Sequence, residues 1–332
     1  MRILVTGSAG FIGSHLLRAF DGGLFTLVDI APPGDIPHRQ QDARDFFREN
    51  WEYFDLVIHC AALVGGRQLI ENSPVAYAQN LELDAALFQW AERTKPGRVV
   101  YISSVAAYPV SLQEQLPPDW LLNKERLELQ DAMNAISGDP AYRHKVILLP
   151  PRMPELQETD INLDRPQLPD KVYGWAKLTG EMLAGQSSVP VSVVRPFTVY
   201  GEGQDSIFPF ANLIMQVKNY HDPITIWGSG NQVRDFIHVN DVVNAILVMA
   251  EQDIDGPVNL CTGRGVSLNE AARMIADEAK KTLSLKNYDP EISQLRDKTE
   301  GLPYRVGDPS RLHEFYVPGI TLEDGIERGL RA

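Results

Sequence analysis

The chain has 332 residues, 44% of them hydrophobic, and a formal net charge of −13 from 44 acidic and 31 basic side chains. This length fits one large domain or two closely merged ones, and the apolar content excludes wholesale disorder. The acidic balance disfavours a nucleic-acid polymer as partner, while a small anionic ligand needs only a local cluster of donors.

In chain order, RILVTG reads as a strand and FIGSHLLRAF as a helix with Ile12, Leu16, Leu17 and Phe20 on one face. FTLVDI and DLVIHCAA are two further strands, a helix follows from about Pro74 to Arg93, and GRVVYIS is the next strand. Apolar runs separated by helices predict an α/β fold, a doubly wound parallel sheet covered on both faces. The stretch from Ser111 to about Asp170 breaks the rhythm with many prolines and an amphipathic piece near Leu121 to Ile136. A lid, an interface element and a neutral excursion are all open for it. A helix from about Tyr173, the strand VPVSVVRP, a helix from about Phe208 and the short strand ITIWG come next. RDFIHV, a helix from Asp241, the strand PVNLCTG and a helix opening at Ser267 follow, with Ser267 and Glu270 at capping-box spacing. No leader precedes the first strand and no apolar run approaches the roughly 20 residues of a membrane helix, so a soluble, cytoplasmic protein is expected. Cys60 and Cys261 stand alone in different halves and predict neither a disulfide nor a metal site.

TGSAGFIG places Gly7, Gly10 and Gly13 between the first strand and the first helix. Glycine lets the backbone turn tightly and approach a pyrophosphate, and the helix N-terminus supplies amides and the positive end of its dipole. The same glycines would also serve a turn that needs them only sterically. Asp29 ends the second strand, 16 residues after Gly13. A carboxylate there accepts from both ribose hydroxyls and repels a 2′-phosphate, which selects NAD over NADP; the bland alternative is a solvated loop acid. Asp42 and Ala43 follow where an adenine edge would lie.

YGWAK sets Tyr173 and Lys177 four residues apart at a helix start, on one face. Free tyrosine titrates at about 10. A neighbouring ammonium and an oxidised nicotinamide favour the phenolate, so that tyrosine becomes a usable base near neutral pH. The spacing alone occurs by chance on many helices. Its weight comes from the glycine turn and from Ser103 and Ser104 at the end of GRVVYIS.

With these residues in hand, the chain resembles the extended short-chain dehydrogenases/reductases of the nucleotide-sugar epimerase/dehydratase type. TGSAGFIG, Asp29, HCAALVGG, Asn80, ISSVAAYP, YGWAK, RPFTVYG, RDFIHVNDV and GDPSRL stand in the family's order from residue 3 to about 325. The resemblance implies a catalytic set of Ser104, Tyr173 as base and Lys177, which binds the nicotinamide ribose. It implies NAD as cofactor, held or supported by Gly7, Gly10, Phe11, Ile12, Gly13, Asp29, Asp42, Ala43, Ala61, Ala62, Asn80, Ser103 and Pro196 together with Tyr173 and Lys177. It also implies a nucleotide-diphosphate sugar as substrate, with Arg234 and Arg305 on its pyrophosphate and Val64, Ser104, Thr198 and Tyr200 along the sugar. Surface exposure without function is the alternative for both arginines. The implied division is an NAD-binding domain over 1–190, with an insertion at about 111–156 and later segments near 229–250 returning to it, and a smaller, mostly C-terminal α/β domain over 191–332 for the nucleotide sugar. A homodimer through a four-helix interface is implied as well.

The residues after Ser104 narrow the reaction. The family's 4,6-dehydratases carry acids just after the catalytic Ser/Thr, its decarboxylases a glutamate and its GDP-fucose-forming epimerase-reductases a cysteine. Here those positions are Val105 and Ala106. AALVGG, AAYP and GLPYRVGDPSRLH nonetheless lean toward the GDP-fucose synthase and GDP-mannose epimerase branch, whereas Asp29 argues against the NADPH that GDP-fucose synthase prefers. Ser104, Tyr173, Lys177 and NAD suffice for epimerisation at C4 through a transient 4-keto sugar. A 4-ketoreductase consuming NADH is the alternative, followed by a dehydratase and by a non-enzymatic dinucleotide sensor. His59, His238, Cys60 and Cys261 read as structural, and Trp227 as core packing or a base pocket.

Overall fold

The computed structural model describes residues 1–20, 22–34, 37–114 and 155–332. The amphipathic piece expected near 121–136 and most of the insertion expected at 111–156 lie outside these residues. Strands β1 (Arg2–Thr6), β2 (Leu24–Asp29), β3 (Arg39–Gln40), β4 (Leu56–His59), β5 (Arg98–Ile102), β6 (Val191–Pro196) and β10 (Gly256–Leu260) form one sheet in the order β10-β6-β5-β4-β1-β2-β3. Every pairing in it is parallel. Parallel neighbours need crossovers, and helices α1 (Phe11–Ala19), α2 (Ala43–Glu49), α4 (Ala78–Thr94), α5 (Lys171–Gln186) and α7 (Val239–Glu251) lie on the two faces. Short helix α3 (Arg67–Asn72) follows the loop after β4.

Side chains alternate along each strand, so each strand feeds both cores. Leu4, Val57 and Val99 pack with Leu87 and Trp90 of α4 and Phe46 and Phe47 of α2. Ile3, Val5, Ile58 and Val100 pack on the opposite face with Leu16 of α1 and Ile246 and Met249 of α7. The largely apolar character of the strands follows from this double burial.

A second unit has its own core. Strands β7 (Thr198–Tyr200), β11 (Gly265–Ser267) and β13 (Tyr304–Arg305) all pair with β9 (Val233–His238), and β8 (Ile224–Trp227) pairs with β12 (Ile292–Leu295). Helices α6 (Pro209–Lys218), α8 (Leu268–Thr282) and α9 (Leu322–Arg331) close over Phe210, Leu213, Ile226, Phe236, Ile275 and Ile326. Ser267 caps α8 by accepting from the Glu270 amide at 3.1 Å. The chain returns to the first sheet through α7 and β10, while β9 stays with the second unit. Among the described residues no helix is long and apolar enough to cross a membrane.

Candidate active site

The cavity between the two units, about 1180 Å³, opens along the C-terminal ends of the parallel strands, where ligands of doubly wound sheets bind. At its base β1 runs into Gly7, whose φ is +71°. A Cβ on Gly7 would sit 2.5 Å from the Ala61 amide, and one on Gly13 would sit 2.2 Å from the Gly7 carbonyl. The turn is therefore bare backbone, closed by Gly10 N–H donating to the Gly7 carbonyl at 3.1 Å. Helix α1 begins directly after Gly10 with no side-chain cap, which leaves its first amides to a ligand. The Asp29 carboxylate is held at the rim, accepting from the Ala9 and Ala31 amides at 2.9 Å each. Glycines that tolerate no side chain, an open helix N-terminus and an acid ending the next strand together fit a dinucleotide.

Other expected cofactor residues divide into two groups. Gly7, Gly10, Phe11, Ile12, Gly13, Ala62, Ser103, Tyr173, Lys177 and Pro196 line the cavity. Ala61, Asn80, Asp42 and Ala43 are not among the residues that line it. Asn80 is fully buried and clamps the loop after β4, its Oδ1 accepting from the Leu63 amide at 2.7 Å and its Nδ2 donating to the Leu63 carbonyl at 3.0 Å. Asp42 caps α2 and pairs with Arg44 at 2.6 Å, and that side-chain bond lowers its carboxyl. Ser103 is in the wall, but its hydroxyl is committed to Glu181 at 2.5 Å.

The catalytic residues meet because two backbone segments are tied together. Past Ser104 the chain makes a short 3-10 turn, Val105–Ala107, and the Ala106 carbonyl accepts from the Asp170 amide at 3.0 Å. Gly174 of α5 packs onto the same carbonyl, where a Cβ would come within 2.3 Å. This contact sets Tyr173 facing Ser104. Tyr77 braces the Tyr173 ring edge-on at 5.3 Å. Burial pushes the Tyr173 phenol up to about 12, and the neighbouring Ser104 hydroxyl is the strongest opposing influence. The Lys177 ammonium points to the Ile102 carbonyl at 2.8 Å and lies over the Tyr101 ring. Burial lowers its pKa, opposed chiefly by Asp84.

Arg234 and Arg305 also lie in the cavity wall, and Arg67 joins them. Arg234 Nη1 donates to the Val233 and Leu302 carbonyls, and burial followed by the nearby Arg305 charge pulls its pKa down to about 9. Arg305 donates to Gln113 at 2.7 Å and to Asp170 at 2.5 Å. Arg67 and Asp170 did not stand out in the sequence. Their signals were an arginine directly after the quoted AALVGG and an aspartate at N-cap spacing ahead of YGWAK. Val64, Thr198 and Trp227 also line the cavity. Tyr200 does not: its ring is buried against Phe210 and His238, and its hydroxyl donates to the Thr321 carbonyl at 3.2 Å. It belongs to the second core, and the sugar-site expectation for it is withdrawn.

The NAD dependent epimerase/dehydratase family profile matches residues 3–126 and 150–261. The chain belongs to that family. A dTDP-4-dehydro-6-deoxy-D-allose reductase from a Streptomyces species is 26% identical, over 94% of this chain and 89% of the relative. An uncharacterized UDP-glucose epimerase from Bacillus subtilis is 26% identical, over 98% and 96%. Among solved structures, the UDP-glucose 4-epimerase of Thermotoga maritima with UDP-glucose superposes with a TM-score of 0.74 at 22% identity, over 100% of this chain and 98% of that one. Family membership makes this an NAD-dependent sugar-nucleotide enzyme, and NAD is the group that the glycine turn and Asp29 fit.

Proposed function

We propose that the enzyme is a nucleoside-diphosphate-sugar epimerase acting at C4. The observation that carries the reading is Ser104 facing Tyr173 across a wall that continues as Val105 and Ala106, both buried and without a group that moves protons. One serine–tyrosine pair is enough to shuttle a single hydroxyl proton. When bound, NAD accepts a hydride from the carbinol carbon and returns it to the other face of the ketone.

The chain's own residues do the rest. Tyr173 takes the C4 hydroxyl proton and gives it back. Ser104 holds the same oxygen and, by its hydrogen bond, favours the phenolate. Oxidised NAD would add a positive charge that favours the phenolate against the burial that raises it. Lys177 offers its remaining N–H groups to the nicotinamide ribose. Arg234 and Arg305 hold the diphosphate as guanidinium forks. Val64 and Thr198 border the sugar, and Trp227 offers a ring to the base. Orientation and water exclusion in the buried site supply much of the barrier reduction. For the assembly we propose a homodimer through α4 and α5, which pack side by side and leave Leu81, Trp175 and Met182 exposed.

The test incubates purified protein, with no added cofactor, with hexoses of uridine, guanosine, thymidine and cytidine diphosphate. UDP-glucose comes first because the Bacillus relative and the Thermotoga structure carry that name. NMR detection of the C4 epimer at constant NAD supports the proposal. Stoichiometric NADH consumption on a 4-keto sugar would instead make it a reductase, like the Streptomyces relative.

A further inference from the structure

Asp170 lies three residues before Tyr173, at the N-cap of α5, and is 3% exposed. An aspartate in that place ordinarily accepts from amides of the first helical turn. This one makes no cap bond. Both of its oxygens instead accept from Arg67 Nη1, at 3.1 and 3.0 Å, and Oδ2 also accepts from Arg305 Nη2 at 2.5 Å. Arg67 opens α3 in the first unit and Arg305 sits on β13 in the second, so one carboxylate bridges the two units in the cavity wall. Arg234 stands beside them on its two carbonyls. Glu71 takes the other side of Arg67 at 2.6 Å and also binds Lys171. Four cations face Asp170 and Glu71 here, with Glu300 acting on Arg234 as well, so the cluster stays net positive. A nucleoside-diphosphate sugar brings two negative charges on its phosphates, matched to guanidinium forks.

We propose that Asp170 is an internal counter-ion for these arginines, displaced from Arg305 when the diphosphate binds and then free to cap the catalytic helix at the amides of Val172 and Tyr173. The inference rests on the assignment of Arg234 and Arg305 to the diphosphate. Phosphate oxygens and Asp170 compete for the same guanidinium face. The helix start that carries Tyr173 then gains its cap only in the loaded site. Asp170 is a positioning residue: it acts through Arg305 and α5 and touches no reacting atom.

The test titrates the NAD-loaded full chain with UDP, GDP and inorganic pyrophosphate, in wild type, Asp170→Asn and Asp170→Ala. Asparagine keeps a capping oxygen and removes the competing charge. Both variants should bind the probes more tightly, by about tenfold, and added probe should raise their melting temperature more than that of wild type. Loss of the cap should make kcat lower in Asp170→Ala than in Asp170→Asn. Weaker or unchanged probe binding by Asp170→Asn makes Asp170 a scaffold for the arginines and overturns the proposal. Failure of wild type to bind any probe does the same, and equal kcat in the two variants removes the capping step. If the asparagine variant does not fold, Asp170→Ser, another neutral capping residue, reads the same competition. Turnover is a separate readout. Tightened probe binding in a protein that epimerises nothing leaves the counter-ion standing and removes only the proposed reaction.

Discussion

Tyr173 is a base only as a phenolate, and its surroundings work against that form. Burial lifts it to about 12, and the Ser104 hydroxyl is the strongest influence pulling it down. Activity should therefore rise with pH along the limb that reports Tyr173 ionisation. Ser104→Ala removes the hydroxyl that favours the phenolate, so the limb should move to higher pH, and a pH–kcat profile reads the displacement. A limb that stays in place would show that Ser104 does not tune Tyr173. Tyr173→Phe should cost roughly a hundred- to ten-thousandfold in kcat, the span of a positioned acid–base group, with NAD still bound. At this scale local spacing was enough to bring Gly7, Gly13, Tyr173 and Lys177 to one cavity wall. It misled where a side chain is claimed from far away. Tyr200 is drawn into the second core by α9, where a Cβ on Gly325 would meet its hydroxyl at 2.2 Å. Arg67 gains its meaning from Asp170, 103 residues on, and no local pattern carries such a pair.

Helix α5 approaches its neighbours closely at two glycines, Gly180 against the Tyr101 hydroxyl and Gly174 against the Ala106 carbonyl. Gly174 lets the helix rest on the Ala106 carbonyl, and the same contact brings Ser104 to Tyr173. In Gly174→Ala the new Cβ would meet that carbonyl at 2.3 Å, and backbone cannot swing aside as a side chain does. The helix must lift, at about 1–3 kcal/mol of overpacking strain, and kcat should fall because the two hydroxyls separate. Gly185 on the same helix is the control. Its nearest neighbour is Leu163 Cδ1 at 4.0 Å, so Gly185→Ala should stabilise by about 0.5–1 kcal/mol through helix propensity. Urea unfolding and kcat of the two variants separate crowding from propensity; equal behaviour would sink the positional argument. Elements with strong periodicity, α1 and α8, were legible in the sequence, and α4 through its length of 17 residues. Helices α2 and α3 were not, because 7 and 6 residues give too little period to detect. Nor was α9, although Thr321 and Asp324 form a reciprocal capping box at its start.

The two units are joined by buried polar groups as well as by the chain crossing between them. Asp235 of β9 accepts from the Thr262 amide and hydroxyl, the Gly263 amide and the Gly307 amide, which fastens the second unit to the loop leaving β10 of the first sheet. Its side chain is fully buried, and burial raises it to about 6 even with these donors in place. An acid whose folded value lies above its unfolded value of about 3.9 binds its proton more readily in the folded chain. Its share of stability is complete below that unfolded value and is withdrawn as the pH rises through about 6. Paired carboxylates whose values are lowered, such as Asp42 and Asp170, run the other way and lose their contribution as the pH falls. Asp235→Asn keeps one acceptor oxygen and removes the titration. The unfolding free energy of wild type minus that of the variant should therefore shrink as the pH is raised from about 4 to about 6, by up to about 1.4 kcal/mol per pH unit. Denaturant unfolding at several pH values measures that difference. A gap constant across the window would mean that Asp235 enters the fold already ionised, with its four donors outweighing its burial.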